Sequence, residues 1–379
     1  MNPASPSIWS APTAASSNWK SPPASVSTCT DAHPPMLTPG FATAAGTARL
    51  AARFPEAQAN AFYRTVEGLT LSTLGIGSYL GAMDEATDLG YEAAVTAALS
   101  GGINFLDTSL NYRHQRSERN FGSALARLME RGLLARDEFA ICTKAGFLVP
   151  NALPDSPPQA LEIAGSSHSM HPAFLEHQLA ASRTNLNLET IDVFYLHNPE
   201  TQIAMQTEAS FYDRIARAFA QCEAFVERGW IRYYGTATWN GYRKRPGEDA
   251  ALDIDRLLSI AQSAGGDQHH FRFVQLPLNL GMCEALSNGF LLRLPELGLH
   301  AIASASLLQS RLTTGLPAGL SHILRGPTSD AQLALQFTRS APGIAIALAG
   351  MSRIEHVREN LGIAHFPPAP RVDFDRVFE

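Results

Sequence analysis

The stretch INFLDTSLNY, residues 103–112, carries the first evidence for both the fold and the chemistry. The apolar residues Ile103, Phe105 and Leu106 form a strand-like run that ends in Asp107, and Tyr112 follows five residues later. The run lacks the polar alternation of a sheet that has one face in water. It is therefore expected to be a parallel strand that is covered by helices.

Similar apolar runs recur along the chain and alternate with segments of helical periodicity. EFAICTK, IDVFYLH, IRYYG, FRFVQL, HAIAS and IAIALAG are the later strand candidates, and a hairpin is expected just before the first strand, from Phe62. One short helix is expected near 289–297. Counting the strand at 73–77, eight strand-helix units favour an α/β fold of the (β/α)8 TIM barrel type. Strand number alone leaves an open doubly wound sheet as an alternative.

Composition excludes several classes of partner. The chain has 379 residues, 45% of them apolar, and a formal net charge of -6, with no run of Lys and Arg suited to a nucleic acid. No apolar stretch reaches the roughly 18 to 20 residues of a membrane span. Four widely spaced cysteines form no disulfide or zinc pattern. A cytoplasmic protein without nucleic-acid or membrane partners is expected.

The chain divides into two parts by composition. Residues 1–48 are rich in Ser, Pro and Ala and contain only Lys20 and Asp31 as charged groups. Such a segment buries too little apolar surface to offset its ordering entropy, so a disordered extension is predicted. Residues 60–379 are predicted to form the barrel domain.

Three consecutive strand candidates end in an ionisable residue: Asp107, Lys144 and His197. Each residue alone has an ordinary explanation, as a turn cap, a solvated lysine or a hydrogen-bonded loop residue. In a barrel, however, the carboxyl ends of the strands form one mouth, and active sites are built there. The recurrence therefore predicts a shared site.

Tyr112 is the expected proton donor of this site. A phenol has an ordinary pKa of about 10, so it must be acidified to donate a proton near neutrality. Lys144 beside it is expected to lower that pKa by about 1 to 3 units. Asp107 would hold the ammonium group charged, and His197 would orient a carbonyl oxygen by a hydrogen bond.

Four ordered motifs, GINFLDTSLNY with SERNFG, CTKAGF, DVFYLHNPE and GMSRIEHVREN, together resemble the aldo-keto reductase family over about residues 62–364. The resemblance implies a monomeric or homo-oligomeric (β/α)8 oxidoreductase that binds NADPH, with NADH less favoured. It implies reduction of a small aldehyde or ketone to an alcohol. The family's catalytic tetrad falls on Asp107, Tyr112, Lys144 and His197.

The resemblance also implies a set of cofactor contacts. Leu278 stands where an aromatic residue often stacks on the nicotinamide, so stacking is expected to be weaker or to come from elsewhere. Gly235 to Thr238 replace a common Gly-Val-Ser-Asn, with Thr238 as the substitute ligand. Ser352 and Arg353 at the start of the last barrel helix are placed for a 2′-phosphate. The implied cofactor residues are Gly77, Ser78, Tyr79, Asp107, Thr238, Gln275, Ser304, Ser306, Leu307, Gly350, Ser352, Arg353, His356, Glu359 and Asn360.

Two other patterns carry less weight. GIGSYLG has the spacing G-x-G-x-x-x-G, which does not match the dinucleotide-binding fingerprint. His168, His171 and His177 lie near one another but lack a carboxylate or Cys at ligand spacing, so no metal is expected. They are interpreted as surface or substrate-loop residues.

Two alternative functions remain open at this stage. A lysine at the mouth of a barrel can form a Schiff base, so Lys144 could belong to an aldolase or lyase. A regulatory protein that binds the cofactor with little turnover, like the potassium-channel beta subunits of the same family, is a second alternative. The loops at 148–171, 198–212 and 239–250 do not identify the substrate.

Overall fold

The computed structural model describes residues 36–149, 152–154, 158–165, 167–245 and 247–379, and Leu37–Glu379 form one compact unit. Within these ranges, eight parallel strands close into a barrel in which each strand pairs with the next and the last pairs with the first. The predicted (β/α)8 barrel is thus confirmed. Its strands are β3 (Leu74–Gly77), β4 (Phe105–Asp107), β5 (Ala140–Ala145), β6 (Ile191–His197), β7 (Ile231–Ala237), β8 (Phe271–Pro277), β9 (His300–Ser304) and β10 (Ile344–Gly350).

The predicted hairpin is confirmed as β1 (Tyr63–Val66) paired antiparallel with β2 (Leu69–Ser72). Its residues Leu69 and Leu71 pack in the same buried cluster as Phe105, Tyr195 and Ile346 of the barrel strands. The barrel interior is therefore a packed core that the hairpin covers. Chemistry is consequently confined to the ends of the strands.

Helices surround the barrel, and several begin at a side-chain cap. Asp84 accepts a hydrogen bond from Thr87 N, and Ser329 accepts one from Gln332 N. No helix in the described ranges is long and apolar enough to cross a membrane. The helices are α1 (Ala44–Ala51), α2 (Pro55–Ala59), α3 (Glu85–Ser100), α4 (Arg116–Glu130), α5 (Pro172–Leu186), α6 (Glu208–Glu227), α7 (Ile254–Gly265), α8 (Glu284–Ser287), α9 (Phe290–Arg293), α10 (Gly319–Ile323), α11 (Asp330–Ser340), α12 (Ile354–Leu361) and α13 (Arg371–Asp375).

The short helix predicted near 289–297 is confirmed as α9, which covers only Phe290–Arg293. A further short helix, α8 (Glu284–Ser287), precedes it, and the two are separated at Gly289, whose φ is 78°. A residue in this left-handed conformation interrupts a right-handed helix, and glycine adopts it without steric cost.

Ordered structure begins earlier than residue 48, the predicted end of the extension. Thr38 N donates to Asn187 O at 3.0 Å, Ala42 N donates to Asp192 Oδ1 at 2.8 Å, and α1 starts at Ala44. Asp192 is itself buried and paired with Arg136 at 2.7 Å. Polar anchors near the amino ends of the strands therefore order residues that composition alone marks as unstructured. Residues 1–35 of the predicted extension lie outside the described residues.

Candidate active site

The four residues expected to act together meet at the carboxyl end of the barrel. Lys144 Nζ on β5 lies 2.5 Å from Asp107 Oδ1, at the end of β4, and 2.8 Å from Thr108 O. The same Nζ lies 4.8 Å from the centre of the Tyr112 ring. The Tyr112 ring is in turn 5.7 Å from the ring of His197, the last residue of β6. The structure thus brings together an acid, a base, a phenol and an imidazole.

Lys144 is 1% exposed and carries its charge inside the protein. Burial on its own lowers the pKa of an ammonium group, but Asp107 and Tyr112 favour the charged form more strongly, so the pKa of Lys144 is raised. Gln275 Nε2 donates to the other oxygen of Asp107, Oδ2, at 2.8 Å. Asp107 therefore fixes both Lys144 and Gln275 at the mouth.

The expectation that Lys144 brings the pKa of Tyr112 below its ordinary value is wrong for this structure. The hydroxyl environment of Tyr112 is desolvated, which raises its pKa more than Lys144 lowers it, and Asp107 adds to the increase. The net pKa of Tyr112 is therefore raised. Lys144 acts by limiting this increase, because its positive charge favours the phenolate against the effect of burial.

His197 is held on two sides and is uncharged. Its Nδ1 lies 3.2 Å from Ser109 Oγ, and the Phe147 ring meets its ring edge-on at 5.0 Å. Burial, Lys144 and His168 all lower the pKa of His197 well below its ordinary value. A neutral imidazole thus faces Tyr112, and a neutral imidazole presents one hydrogen-bond donor and one acceptor.

His168 is not the surface residue that the sequence suggested, since only 2% of it is exposed. Its Nε2 donates to His197 O at 2.7 Å, and Gln202 Nε2 donates to its Nδ1 at 2.8 Å. An added Cβ at Gly146 would lie 2.5 Å from His168 Nε2, so this close approach requires glycine. His168 therefore supports the backbone of His197.

A His168→Phe variant is expected to reduce kcat by about 10-fold, because it leaves His197 O and Gln202 Nε2 buried without a partner, at a cost of about 1 to 3 kcal/mol. Steady-state kinetics and a melting curve measure the two effects. His177→Phe on α5 is the matched control and should keep kcat. Equal kcat values in the His168 variant and the wild type would contradict the supporting role.

The residues implied for the nicotinamide end lie at the same mouth. Tyr79 is 56% exposed and packs edge-to-face on Tyr112, with ring centres 5.1 Å apart. Thr238 N donates to Gln275 O at 2.8 Å, and its Oγ1 is buried without a hydrogen-bond partner in the described structure. Leu278 is fully buried and offers no stacking surface, whereas Tyr79 does. Ser78 Oγ donates to Thr108 Oγ1 at 2.9 Å, so its side chain is already engaged.

The residues implied for the phosphate end follow β9 and β10. Arg353 is the N-cap residue of α12, its side chain makes no capping hydrogen bond, and it is exposed. An added Cβ at Gly350 would meet no protein atom within 4 Å, so the space beside it is open. Ser306 and Asn360 are buried, Ser304, Leu307, Gly77 and Ser352 are half-buried, and His356 and Glu359 are exposed.

The sequence does not indicate that two further residues, Ser109 and His168, lie close to the site. Ser109 lies two residues after Asp107, in the same segment, but serine after a strand is an ordinary turn residue. His168 was interpreted from the sequence only as a surface or substrate-loop residue. Among the described residues, no group of three or more His, Cys, Asp or Glu side chains is arranged to hold a metal ion.

Comparison with known proteins agrees with this geometry. Residues 73–244 match the sequence profile of the Aldo/keto reductase family. The chain is 21% identical over 314 residues to a probable voltage-gated potassium channel subunit beta of Arabidopsis thaliana, covering 78% of this chain and 88% of that protein. It is 32% identical over 145 residues to a D-threo-aldose 1-dehydrogenase of Pseudomonas sp, covering 35% of this chain and 42% of that protein.

Solved structures share the fold. An aldo/keto reductase from Klebsiella pneumoniae in complex with NADP and acetate superposes with a TM-score of 0.60 at 21% identity, covering 83% of this chain and 95% of the other. The holo form of an aldo-keto reductase from Bacillus halodurans gives a TM-score of 0.60 at 20% identity, with the same coverage. These structures share the fold, and together with the family match they confirm the resemblance to the aldo-keto reductase family.

Proposed function

We propose that this protein is an NADPH-dependent oxidoreductase that reduces an aldehyde or ketone to an alcohol. The observation that carries the proposal is the placement of the Tyr112 phenol over Lys144 Nζ, whose charge Asp107 holds in a buried site at the barrel mouth. The first test is turnover of NADPH by the purified full chain with a panel of small aldehydes. NADPH oxidation that depends on an aldehyde supports the proposal, and its absence across the panel contradicts it.

The chain's own residues fit an extended dinucleotide. Thr238 Oγ1 is a buried polar atom that has no hydrogen-bond partner among the described residues, and the space beside Gly350 is open. Arg353 is exposed at the start of α12, where free backbone N–H groups favour an anion. Gln275 and Thr238 would hold the carboxamide end, and Ser352 and Arg353 would hold a 2′-phosphate. Binding of NADPH in preference to NADH follows from that last contact.

When bound, NADPH supplies the hydride that adds to the carbonyl carbon of the substrate. Tyr112 then donates its hydroxyl proton to the carbonyl oxygen, which completes the alcohol and leaves a phenolate. Lys144 stabilises this phenolate by its charge, and Asp107 keeps the ammonium group aimed at it. His197 lies beside the phenol and contacts the oxygen-bearing part of the substrate.

An Arg353→Ala variant is expected to raise the Kd for NADPH by about 10- to 100-fold, because a charged hydrogen bond contributes about 1.5 to 3 kcal/mol. The Kd for NADH, which lacks the 2′-phosphate, should stay the same. Fluorescence titration with both nucleotides measures the difference, with Arg358→Ala on the same helix as the control. Equal weakening of both nucleotides would rule out the proposed phosphate contact.

The two alternatives are less well supported. Schiff-base formation needs a neutral lysine, whereas the pKa of Lys144 is raised and its Nζ is paired with Asp107. The similarity to a probable potassium channel subunit beta is the observation that favours the second alternative, a regulatory protein with little turnover. Cofactor binding without turnover of any carbonyl would favour it. We further propose a cytoplasmic protein, since the described cysteines Cys142, Cys222 and Cys283 are free.

A further inference from the structure

Tyr112 leads directly into a turn of left-handed backbone. Arg113, His114 and Gln115 have φ values of 49°, 50° and 72°, and none of them is glycine. A left-handed conformation is unfavourable for a residue with a side chain, so it persists only where surrounding contacts hold it. The contacts of this turn therefore also determine the position of the Tyr112 backbone.

The side chain of Arg113 supplies such contacts and is 4% exposed. Its Nε donates to Ala82 O at 2.8 Å, and its Nη1 donates to Asn120 Oδ1 at 2.9 Å. Its Nη2 donates to Asp88 Oδ1 at 2.7 Å and to Asp84 O at 3.4 Å. All three guanidinium nitrogens are therefore engaged, and a planar set of donors fixes a direction as well as a charge.

Arg113 thereby holds the β3–α3 loop, residues 78–84, which carries Tyr79. The apolar side chains of this loop do not anchor it in the core, because Tyr79, Leu80 and Met83 are all exposed. The loop is held through its backbone instead, by side chains of α3, of α4 and of the left-handed turn. The bonds to its carbonyl oxygens run from Ser117 to Ser78 O, from Tyr91 to Leu80 O, and from Arg113 to Ala82 O and Asp84 O. Arg113 thus supplies two of these four bonds.

The loop places Tyr79 against Tyr112, with ring centres 5.1 Å apart and an angle of 67° between the ring planes. The Tyr112 ring also lies 4.8 Å from Lys144 Nζ and 5.7 Å from the ring of His197. Tyr79 is thus one of the groups that define where the phenol lies. Because Arg113 follows Tyr112 in the chain and also holds the loop of Tyr79, it sets the distance between the two rings.

We propose that Arg113 is a positioning residue for carbonyl reduction, which clamps the β3–α3 loop against Tyr112 and so keeps the phenol in place for proton donation. The inference rests on the proposed function, in which Tyr112 is the proton donor. Arg113 acts on the phenol through Tyr79. Asp88 orients the guanidinium group and is also paired with Arg116, so removal of Arg113 does not leave this carboxylate without a cation.

Arg113→Gly removes the guanidinium side chain and places in the turn a residue that adopts the left-handed conformation without steric cost. It is expected to lower kcat for a small aldehyde by about 10-fold at saturating NADPH, because a small displacement of a reacting group slows the reaction by such factors. His114→Gly is the matched control and should keep kcat, since His114 is exposed and has the same left-handed conformation. Full kcat in Arg113→Gly would overturn the inference.

A double-mutant cycle tests whether Arg113 acts through Tyr79. Tyr79→Ala is expected to lower kcat to a similar extent, and Arg113→Gly added to it should cause little further loss, because the two residues share one effect. Independent losses that multiply to about 100-fold would overturn the inference. Arg113→Lys keeps a charge beside Asp88 but lacks the planar donors, so it should lose kcat as Arg113→Gly does. If the glycine variant does not fold, full kcat in Arg113→Lys overturns the inference.

Nuclear magnetic resonance tests the contact between the rings without turnover. In protein labelled in its tyrosine rings, the Tyr112 signals are those that disappear in Tyr112→Phe. Tyr79→Ala should shift these signals, Arg113→Gly should shift them in the same direction, and His114→Gly should leave them unchanged. Unchanged Tyr112 signals in Arg113→Gly would overturn the inference. If the wild type reduces no aldehyde, the proposed function is contradicted, and this comparison alone decides whether Arg113 holds the two rings together.

Discussion

A Tyr112→Phe variant is expected to lose carbonyl reduction by about 10²- to 10⁴-fold, the contribution of a general acid in the transition state. The substitution removes only the hydroxyl oxygen, so the ring contacts with Tyr79 and His197, at 5.1 Å and 5.7 Å, remain. NADPH binding should therefore be unchanged. The measurement is kcat for a small aldehyde together with a fluorescence titration of NADPH.

Tyr63→Phe is the matched control, because the Tyr63 hydroxyl donates to Gly102 O at 2.9 Å, away from the four site residues. Its kcat should equal that of the wild type within a factor of about two. Retention of full activity in Tyr112→Phe would show that another group supplies the proton. A loss of NADPH binding in the same variant would point to a structural role instead.

A Lys144→Met variant is expected to lose activity to a similar extent and also to destabilise the fold. Removing the ammonium group leaves the Asp107 carboxylate buried without its cation, at a cost of about 3 to 5 kcal/mol in the free energy of unfolding. Chemical denaturation measures the stability, and kcat with a small aldehyde measures the activity. Lys244→Met, at an exposed lysine, should change neither.

A second variant separates the two effects of Lys144. Lys144→Met combined with Asp107→Asn removes the uncompensated charge, so stability should return in large part while activity stays lost. Recovery of activity in the double variant would show that Lys144 serves only to neutralise Asp107. The proposed stabilisation of the Tyr112 phenolate by Lys144 would then be wrong.

The pH dependence of alcohol oxidation follows from the raised pKa of Tyr112. Oxidation needs the phenolate, so its rate should rise with pH towards a pKa above the ordinary value of about 10. Reduction needs the protonated phenol and should stay constant over the same range below that pKa. Lys144 lowers the pKa of Tyr112, so any residual oxidation in Lys144→Met should require still higher pH.

Much of the barrel could be predicted because its strands are short apolar runs bounded by polar residues. The observed limits of β6, β9 and β10 coincide with the runs IDVFYLH, HAIAS and IAIALAG. The start of ordered structure could not be predicted, since α1 depends on tertiary anchors such as Ala42 N to Asp192. Local composition does not indicate which residues are held by tertiary contacts.

The site also contains residues that the sequence predicts and residues that it does not. Strand ends must converge in a barrel, so Asp107, Lys144 and His197 were predictable from their positions. The position of His168 was not predictable, because its contact with His197 O joins residues 29 apart in the sequence. The contact also requires glycine at position 146, where a Cβ would be too close to the His168 ring. The direction of the Tyr112 pKa shift was not predictable from the sequence either, because desolvation depends on the folded structure.

The most direct test of the central claim follows the hydrogen itself. The full chain is incubated with an aldehyde and NADPH in which both hydrogens at C4 of the nicotinamide are deuterium, and the alcohol is analysed by mass spectrometry. The account predicts deuterium on the carbinol carbon with the wild type and almost none with Tyr112→Phe. NADPH that binds without delivering deuterium to any alcohol would contradict it.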